Sequence, residues 1–312
     1  MTALATNVFE SVDAVQSWIL GVLLDHGTEV SPRGLATREV LGLSFRLRHP
    51  RRRCITNNAR RFSLPLALGE FAWHMNKADD VASLAYYAKR WSEFADDGRR
   101  IAGSCYGRKI FSANADLTSQ WDRMLDLLRA DLLTRRAMLS LWDHSGLNSS
   151  SVDVPCTATI QFLVRSGRVH AVVTMRSNDS IWGLPYDVFL FTMLQEYLAV
   201  TLNLELGEYT HFAGSMHLYE RHAALAERIL RTQDEDFEMP PMAGALQDFL
   251  DAESRIRLGD LSPRQELHEY WQACAEVLAW YRDRRDQKTR PYRGLYAPVM
   301  RPLDVSLLSE TA

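Results

Sequence analysis

The sequence lacks the cysteine patterns that mark a metal site or a disulfide framework. Its four cysteines (Cys54, Cys105, Cys156 and Cys274) lie about fifty or more residues apart, with no CxxC and no cysteine–histidine ligand spacing. We therefore expect free thiols and no bound metal. Because disulfides persist mainly outside reducing compartments, this usage favours a cytoplasmic protein.

Long apolar runs and an excess of one charge are also missing. The most apolar stretch, residues 188–202, is interrupted by Gln195 and Glu196 and is too short to span a bilayer. Residues 1–13 have no basic segment followed by an apolar core, so we expect no secretory signal. The 36 basic and 39 acidic residues nearly balance, which argues against a membrane partner or an obligate nucleic-acid partner. Any anionic ligand must be met by locally clustered arginines.

The middle of the chain has the alternation of β-strands. Residues 157–164 and 169–175 are rich in β-branched side chains, and Ser166-Gly167 between them is a good hairpin signal. Residues 209–219 form a further predicted strand. Strands and helices are mixed without a regular βαβ alternation, so α+β is the favoured fold class.

Apolar residues at helical spacing predict the helices, and no internal repeat or linker divides the chain. We therefore expect one domain over residues 1–312. An arginine-rich segment, residues 32–61, is interpreted as a basic loop. Ser262 is the predicted N-cap of the last helix, with Pro263 as its first residue. The predicted helices cover residues 7–27, 64–75, 117–133, 186–203 and about 262–285.

Cys156 is the first candidate for chemistry. Pro155 fixes the backbone immediately before it, and a predicted strand begins immediately after it. A thiol in that position is held rigidly. Taken alone, however, it is more often an ordinary buried cysteine at the start of a strand.

The motifs around Cys156 change this interpretation. In order along the chain they are Arg135-Arg136, Pro155-Cys156, Arg176-Ser177-Asn178-Asp179, Gly183-Leu184-Pro185 and His217-Leu218-Tyr219. The ordered set resembles the thymidylate synthase family, and in particular its cytidylate hydroxymethylase branch. The similarity is strongest over residues 135–222. It extends more loosely to Glu70 and Tyr106, and covers about two thirds of the chain.

The resemblance implies a fold, a co-substrate and an assembly. The expected fold is α+β, a bent mixed β-sheet flanked by helices, with residues 243–312 as a divergent helical extension. The expected co-substrate is 5,10-methylenetetrahydrofolate, and the expected substrate is a pyrimidine nucleoside monophosphate. The family's homodimer is also expected, with phosphate-binding arginines shared across its interface.

The resemblance assigns three residues to catalysis. C5 of a pyrimidine is a poor nucleophile until a thiolate adds to C6, so Cys156 is the expected nucleophile. Glu70 matches the family glutamate that moves protons through ordered water. Tyr106 matches the tyrosine that assists removal of the C5 proton.

Phosphate binding is expected from arginines, whose planar forks make paired bonds to phosphate oxygens. By resemblance Arg176 lies beside the thiol and contacts phosphate together with Ser177, and Arg135 and Arg136 come from the neighbouring subunit. The alternatives are a solvated arginine pair near a helix end and, for Arg176, a surface ion pair with Asp179.

A further phosphate ligand and the sugar ligands are expected elsewhere. Arg33 is the further candidate for phosphate, and Arg38 competes with it for this role. By resemblance His217 and Tyr219 hold the sugar 3′-hydroxyl. Their alternative is a pair of residues on one strand face, one of them packed in the core.

The folate side carries two departures from the family. By resemblance Asp179 meets the pterin, and Trp182, Gly183 and Tyr186 complete the folate site. Trp182 stands where the family usually has leucine, and Thr157 replaces the residue that normally follows the cysteine.

The residue expected to contact the base also differs from the family pattern, and this difference indicates the substrate. Asp187 stands where thymidylate synthases have asparagine. An asparagine amide donates to O4 of uracil, whereas a carboxylate accepts from the C4 amino group of cytosine. Aspartate here therefore indicates CMP or dCMP, as in the cytidylate hydroxymethylases of the family, and Asp187 is expected to be both a catalytic and a substrate-binding residue. The alternative is that Asp187 only caps the following helix.

The chain's last residues suggest the product. Residues 302–312 do not resemble the short apolar tail that closes over folate in thymidylate synthases. A less closed site would let water capture the one-carbon unit and give a 5-hydroxymethyl group. The alternatives are a thymidylate synthase acting on dUMP and a catalytically silent nucleotide- or RNA-binding relative.

Overall fold

The chain forms two compact units in a computed structural model that describes residues 7–113, 117–260, 266–285 and 291–300. The first unit contains the described residues up to Phe62, together with Trp121–Asp143 and Pro155–Met239. The second contains Ser63–Gln120, His144–Val154 and the described residues from Pro240 onward. The single domain expected over residues 1–312 stays a prediction.

The first unit is built on a mixed sheet. The strands in the described ranges are β1 (Val8–Phe9), β2 (Thr28–Val30), β3 (Thr37–Leu47), β4 (Met138–Ser140), β5 (Thr157–Arg165), β6 (Arg168–Met175), β7 (Asn178–Asp179) and β8 (Glu205–Tyr219). Their order is β1-β3-β8-β6-β5-β4, with β2 paired to β3 and β7 to β8. The β1–β3, β6–β8 and β7–β8 pairs are parallel, and the others are antiparallel.

Helices flank the sheet in the first unit and make up most of the second. Over the same ranges they are α1 (Val12–His26), α2 (Leu64–Met75), α3 (Val81–Tyr87), α4 (Tyr106–Phe111), α5 (Gln120–Ala130), α6 (Gly183–Leu202), α7 (Ala223–Arg231), α8 (Leu246–Leu258) and α9 (Glu269–Arg285). No helix in the described part of the chain has the length and apolarity to cross a membrane.

The core of the first unit lies between the sheet and two helices. Helix α1 packs on β3, and α6 packs on β6 and β8. Helix α6 is apolar on nearly all sides, as a buried helix must be, and ends at Asn203 in the left-handed conformation that stops a helix. The β5–β6 hairpin turns at Ser166 and Gly167, both with positive φ, which matches the twist of the paired strands.

The second unit is organised around α2, which contacts α3, α4, α8 and α9. Trp271 of α9 stacks between Phe71 of α2 and Phe249 of α8. The Tyr87 hydroxyl donates to the buried Glu253 carboxylate at 2.7 Å, and Arg257 pairs with the same carboxylate. These contacts join α3 and the C-terminal helices α8 and α9 to α2.

Several sequence predictions are confirmed. Helix α2 has the predicted bounds, and the β5–β6 hairpin differs from its prediction by one residue at each inner end. Helix α6 begins three residues earlier than predicted, because proline at position 185 is tolerated in a first helical turn. The predicted α+β fold with a mixed sheet flanked by helices is also confirmed.

Two predictions near the N-terminus are wrong. The predicted basic loop over residues 32–61 contains the long strand β3, whose Leu43, Phe45 and Leu47 alternate into the core. The predicted helix over residues 7–27 begins only at Val12, after the short strand β1. The predicted cap at Ser262 and Pro263 and the C-terminal tail, residues 302–312, lie outside the described residues.

Candidate active site

Cys156 and Arg176 lie side by side at the ends of two paired strands. The Arg176 backbone N–H donates to the Cys156 carbonyl at 2.8 Å, and its Nε donates to the Pro155 carbonyl at 2.9 Å. Cys156 is half-buried at the entry to β5, and Arg176 is exposed just after β6. The arginine is thus anchored to the segment that carries the thiol, which fits the predicted neighbourhood.

Neighbouring residues fix the position of Arg176 further. Its guanidinium lies over the Trp142 ring at 5.4 Å from the centroid, a stacking contact that sequence analysis missed. Its carbonyl accepts from the Ser215 N–H at 3.1 Å. A Cβ at Gly214 would lie 3.1 Å from that carbonyl oxygen, so glycine allows β8 to approach closely. Ser177 follows, half-buried, at the bend before β7.

His217 and Tyr219 lie two residues apart on β8, with their rings in edge-to-face contact at 5.2 Å. Both are half-buried, so neither is a fully packed core residue. Asp179 of β7 is the register partner of His217. Burial lowers the pKa of His217, while the carboxylates of Asp179 and Glu39 oppose that shift.

The structure distinguishes the two arginines that compete for phosphate. Arg38 donates from Nε to the Glu220 carboxylate at 2.7 Å and from Nη1 to the Leu24 carbonyl at 2.9 Å. Arg33 is exposed in a left-handed backbone conformation, and its charge contributes to lowering the pKa of His217. These contacts favour Arg33, since Arg38 is held within the fold.

Arg135 and Arg136 lie away from this cluster, in the loop that enters the edge strand β4. Both are exposed. The Arg135 carbonyl accepts from Gln161 of β5 at 2.9 Å, and the Arg136 carbonyl accepts from the Met138 N–H at 2.8 Å. Their backbone is therefore fixed while their side chains are exposed.

The turn before α6 is held by Asp179. Its Oδ1 accepts from the backbone N–H of Ile181 at 2.8 Å and of Trp182 at 3.4 Å. The Trp182 indole N–H donates to Nε2 of His222 at 3.1 Å, so the ring is fixed at both its backbone and its edge. Gly183 begins the helix directly after this turn.

An arginine that sequence analysis missed lies behind the aromatic residues of this turn. Arg60 is 1% exposed, and its guanidinium lies 4.5 Å from the Trp182 ring centroid and 5.6 Å from that of Tyr186. Burial lowers the pKa of Arg60, with Tyr186 and Asp179 opposing. Tyr186 also stacks on Phe62 at 5.0 Å. The aromatic residues predicted to meet folate are therefore rigidly supported.

Asp187 does not cap helix α6. The helix begins at Gly183, its N-cap position is Trp182, and Asp187 lies in the second turn. The Asp187 carboxylate instead accepts from Nδ2 of Asn178 through Oδ2 at 2.7 Å. The capping alternative is therefore wrong, and the half-buried carboxylate is held by a side chain of β7.

A buried polar pair faces Asp187 from β8. The Tyr209 hydroxyl and Nδ1 of His211 share a hydrogen bond at 2.8 Å, and both residues are fully buried. Burial and then the Asp187 carboxylate hold the pKa of Tyr209 well above its usual value. Burial lowers the pKa of His211 to about 3, so this imidazole is neutral at physiological pH.

The second unit brings Glu70 and Tyr106 together around a histidine that sequence analysis missed. His74 lies one turn after Glu70 on α2, with Nε2 3.8 Å from the glutamate Oε1. Its ring stacks on Tyr106 at 5.6 Å. Nδ1 accepts from the Gly107 N–H at 3.1 Å, which leaves the proton of the neutral ring on Nε2, facing Glu70. A Cβ at Gly107 would overlap the His74 backbone, so glycine is required there.

The predicted residues thus fall into three groups. The first unit holds Cys156 at the entry to β5, Arg33 in the turn before β3, and Arg176, Ser177, Asp179, Trp182, Gly183, Tyr186, Asp187, His217 and Tyr219 along the β6–β7–α6 segment and β8. The second unit holds Glu70 and Tyr106, and the arginine pair lies at the sheet edge. In the described ranges no group of three or more His, Cys, Asp and Glu side chains is placed to hold a metal ion.

Comparisons with known proteins identify the family. Residues 18–256 match the family model described as "Thymidylate synthase". A "Deoxyuridylate hydroxymethyltransferase" of Bacillus phage SP01 is 26% identical over 297 residues, covering 90% of this chain and 76% of that protein. "Thymidylate synthase 1" of Bacillus subtilis strain 168 is 30% identical over 192 residues, covering 59% of this chain and 68% of that protein.

A solved structure supports the same assignment of fold. The thermostable thymidylate synthase A from Bacillus subtilis superposes with a TM-score of 0.63 at 24% identity, covering 72% of this chain and 85% of that chain. The chain belongs to the thymidylate synthase family, as its motifs predict. Its activity is thymidylate synthase-like one-carbon transfer, in a family that binds a pyrimidine nucleotide and uses methylenetetrahydrofolate. Helix α9 lies beyond the matched residues.

Proposed function

We propose that the protein transfers a one-carbon unit from 5,10-methylenetetrahydrofolate to C5 of CMP or dCMP, and that water completes the reaction to give the 5-hydroxymethyl nucleotide. The main support for this proposal is the Asp187 carboxylate, which accepts a hydrogen bond from Asn178 and does not cap helix α6. A carboxylate occupies the position at which thymidylate synthases present an amide.

The hydrogen-bonding edge of the base explains the preference. An ionised carboxylate only accepts, so it pairs with the C4 amino group of cytosine and with N3 once that atom is protonated. Facing uracil O4, the same carboxylate would pair acceptor with acceptor. A mismatched pair in a partly buried site can discriminate strongly between substrates.

Covalent catalysis follows from the Cys156 segment. The thiolate adds to C6, and the electron pair reaches C5, which bonds the one-carbon unit. Loss of the C5 proton breaks the bond between the one-carbon unit and the folate nitrogen, so that tetrahydrofolate leaves and an exocyclic methylene remains on the base. Water adds to that carbon, and the thiolate leaves C6. The anchored Arg176 supports this role, because nearby positive charge favours a thiolate. Glu70 and Tyr106 are the proposed groups that move the protons.

The residues around α6 suit a folate ring. Trp182 and Tyr186 offer half-exposed aromatic faces that are fixed by Arg60, His222 and Phe62. Asp179 provides a carboxylate at the same turn. The folate supplies the one-carbon unit when it is bound. These side chains would orient it, with Gly183 beside them at the helix start.

The hydroxymethyl product is supported by the deoxyuridylate hydroxymethyltransferase of the phage, whose similarity covers 90% of this chain. Trp182 in place of the family leucine is a second difference on the folate side. The phage relative also favours a second candidate, 5-hydroxymethylation of dUMP. Asp187 is the feature that distinguishes the two candidates.

A homodimer is supported by the open face of the sheet. The face opposite α1 and α6 carries Leu163, Val172 and Phe212, which alternate with buried residues on their strands. Apolar side chains on an exposed sheet face mark an interface. A second copy is the proposed occupant, since it would also bring Arg135 and Arg136 to the neighbour's phosphate.

The test of the function is substrate turnover by the purified protein. CMP, dCMP and dUMP are each incubated with methylenetetrahydrofolate, and the products are identified by mass spectrometry while dihydrofolate is followed by absorbance. We expect CMP or dCMP to gain one CH2O unit without formation of dihydrofolate. Turnover of dUMP with formation of dihydrofolate would identify a thymidylate synthase instead.

Sharing of the phosphate site has its own test. The Cys156→Ser variant and the Arg135→Ala/Arg136→Ala variant are each expected to be nearly inactive. Mixing and re-equilibrating them should restore activity, because one mixed site combines an intact cysteine with intact arginines. No recovery in confirmed mixed dimers would contradict the shared site.

A further inference from the structure

Asn178 is a buried polar residue to which neither the family resemblance nor the proposed chemical steps assign a role. It is 3% exposed, on the short strand β7, where its register partner is Met216 of β8. Its Nδ2 donates to Oδ2 of Asp187 at 2.7 Å, and its Oδ1 has no hydrogen-bond partner among the described residues. A buried amide that donates to the carboxylate proposed to contact the base, and whose oxygen has no partner there, calls for an explanation.

The environment of the pair leaves it little freedom. A Cβ added at Gly183 would lie 3.1 Å from Nδ2 of Asn178 and 3.4 Å from Oδ2 of Asp187. The first helical residue of α6 therefore closes directly over this hydrogen bond. Because β7 is paired to β8 and Asp187 is on α6, the bond also joins a strand to the helix that packs on it.

We infer that Asn178 is a positioning residue that keeps the Asp187 carboxylate ionised and correctly oriented, and so sets the preference for cytosine over uracil. The inference rests on the proposed reading of the base by Asp187. A hydrogen bond donated to a carboxylate favours its ionised form. Ionised, Asp187 can only accept, which suits the cytosine amino group and rejects uracil O4.

The same chemistry predicts the effect of removing the Asn178 side chain. A carboxylate that loses its donor is harder to ionise, and a protonated carboxyl group can donate a hydrogen bond. A protonated Asp187 could donate to uracil O4, so uridylate would no longer be rejected. The carboxylate would also be less firmly oriented, which weakens its contact with cytosine.

The experiment compares Asn178→Ala and the isosteric Asn178→Asp with the wild-type protein. The measured quantity is kcat/KM for the preferred cytidylate relative to dUMP, with kcat and KM separated. Hydrogen bonds to charged groups contribute about 1.5–3 kcal/mol, so we expect the cytidylate preference to fall by about tenfold or more. This lower preference should come mainly from a higher KM for cytidylate, while turnover of dUMP stays unchanged or rises. Asn178→Asp should give the larger fall, because two adjacent carboxylates share a proton.

Two further variants separate positioning from general structural support. Gly183→Ala crowds the hydrogen bond without removing either partner, and should lower the same preference. In an Asp187→Asn background the carboxylate is absent, so Asn178→Ala should not lower the cytidylate-to-dUMP ratio further, and loss of the bond that orients the introduced amide should raise it instead. Urea unfolding shows whether each variant is folded. If Asn178→Ala does not fold, the kcat/KM ratio of Asn178→Asp tests the inference.

The outcomes distinguish this inference from the proposed function. Equal losses of kcat/KM for cytidylate and dUMP would overturn only the proposed role of Asn178. The same fall of the ratio in the Asp187→Asn background would do so as well. Absence of CMP and dCMP turnover by the wild-type protein removes the proposed function, and this inference with it, before any variant is made.

Discussion

Replacing Asp187 by asparagine is expected to reverse the base preference. Asn178 determines how the introduced amide is oriented, since its Nδ2 already donates to the side chain at position 187 at 2.7 Å. The oxygen of the introduced amide accepts that bond, so its NH2 group faces the base. An NH2 group pairs with uracil O4 but opposes the amino group of cytosine.

The size of the change follows from the unpaired groups. Leaving a partly buried donor or acceptor unsatisfied costs about 1–3 kcal/mol. Asp187→Asn creates such a mismatch for cytidylate and removes one for dUMP, so the two effects add to about 2–6 kcal/mol. The kcat/KM ratio of cytidylate to dUMP should therefore fall by about 30-fold to 2 × 10⁴-fold.

The assay is competitive turnover of an equimolar mixture of dCMP and dUMP, with both products counted by mass spectrometry. Asp187→Ala is the matched control, which should lose cytidylate turnover without gaining dUMP turnover. If Asp187→Asn retains the wild-type preference, Asp187 does not read the base, and the argument from the carboxylate fails.

Three further variants test the nucleophile, the fold and the response to pH. Cys156→Ser should abolish exchange of the nucleotide C5 proton with solvent, measured by NMR. Glu196→Gln should lower the free energy of urea unfolding by about 3–5 kcal/mol, because Arg53 is fully buried against that carboxylate. Burial raises the pKa of Asp13 to about 6 from 3.8, so the folded state holds an extra proton and Asp13 stabilises it at acid pH, an effect lost as pH rises through about 6. His211, with its pKa lowered to about 3, acts oppositely and is stabilising above pH 6.5. Asp13→Asn should thus steepen the loss of stability between about pH 6 and pH 4.

These variants have internal controls. Cys54→Ala replaces a buried cysteine that has no proposed role in catalysis and should retain C5 proton exchange. Glu205→Gln removes the exposed partner of Arg168 and should cost no more than about 1 kcal/mol. Comparable losses for Glu196→Gln and Glu205→Gln would contradict the importance of burial. An unchanged pH profile for Asp13→Asn would contradict the raised pKa of that carboxyl.

Local patterns determined which parts of the fold could be predicted. The β5–β6 hairpin and α2 were predictable, because alternation, helical periodicity and turn residues lie within each segment. Strand β3 was missed because its arginines suggested a loop, although Leu43, Phe45 and Leu47 already show the period of a strand. Long antiparallel pairing with β8, far along the chain, is what makes that segment a strand.

The candidate site could be predicted only as far as its motifs reach. The motif positions named the residues predicted to contact substrate, whereas Asn178, His74 and Arg60 act through contacts that no local pattern encodes. His74 lies one helical turn from Glu70, a spacing that could have marked it. Arg60 is buried against Trp182, more than a hundred residues away, and sequence gives no sign of this pairing.

Two of the departures from the family pattern are held by adjacent residues of one short strand. Asn178 donates to Asp187, the departure on the proposed base side, while Asp179 accepts from the backbone of Trp182, the departure on the proposed folate side. Strand β7 is itself fixed by its pairing with β8 next to His217. We therefore expect a displacement of β7 to shift Asp187 and Trp182 together, and so to affect both the proposed recognition of the base and the proposed support of the folate ring. On this proposal, transfer of cytidylate specificity into a thymidylate synthase should require a donor at the place of Asn178 as well as a carboxylate at the place of Asp187.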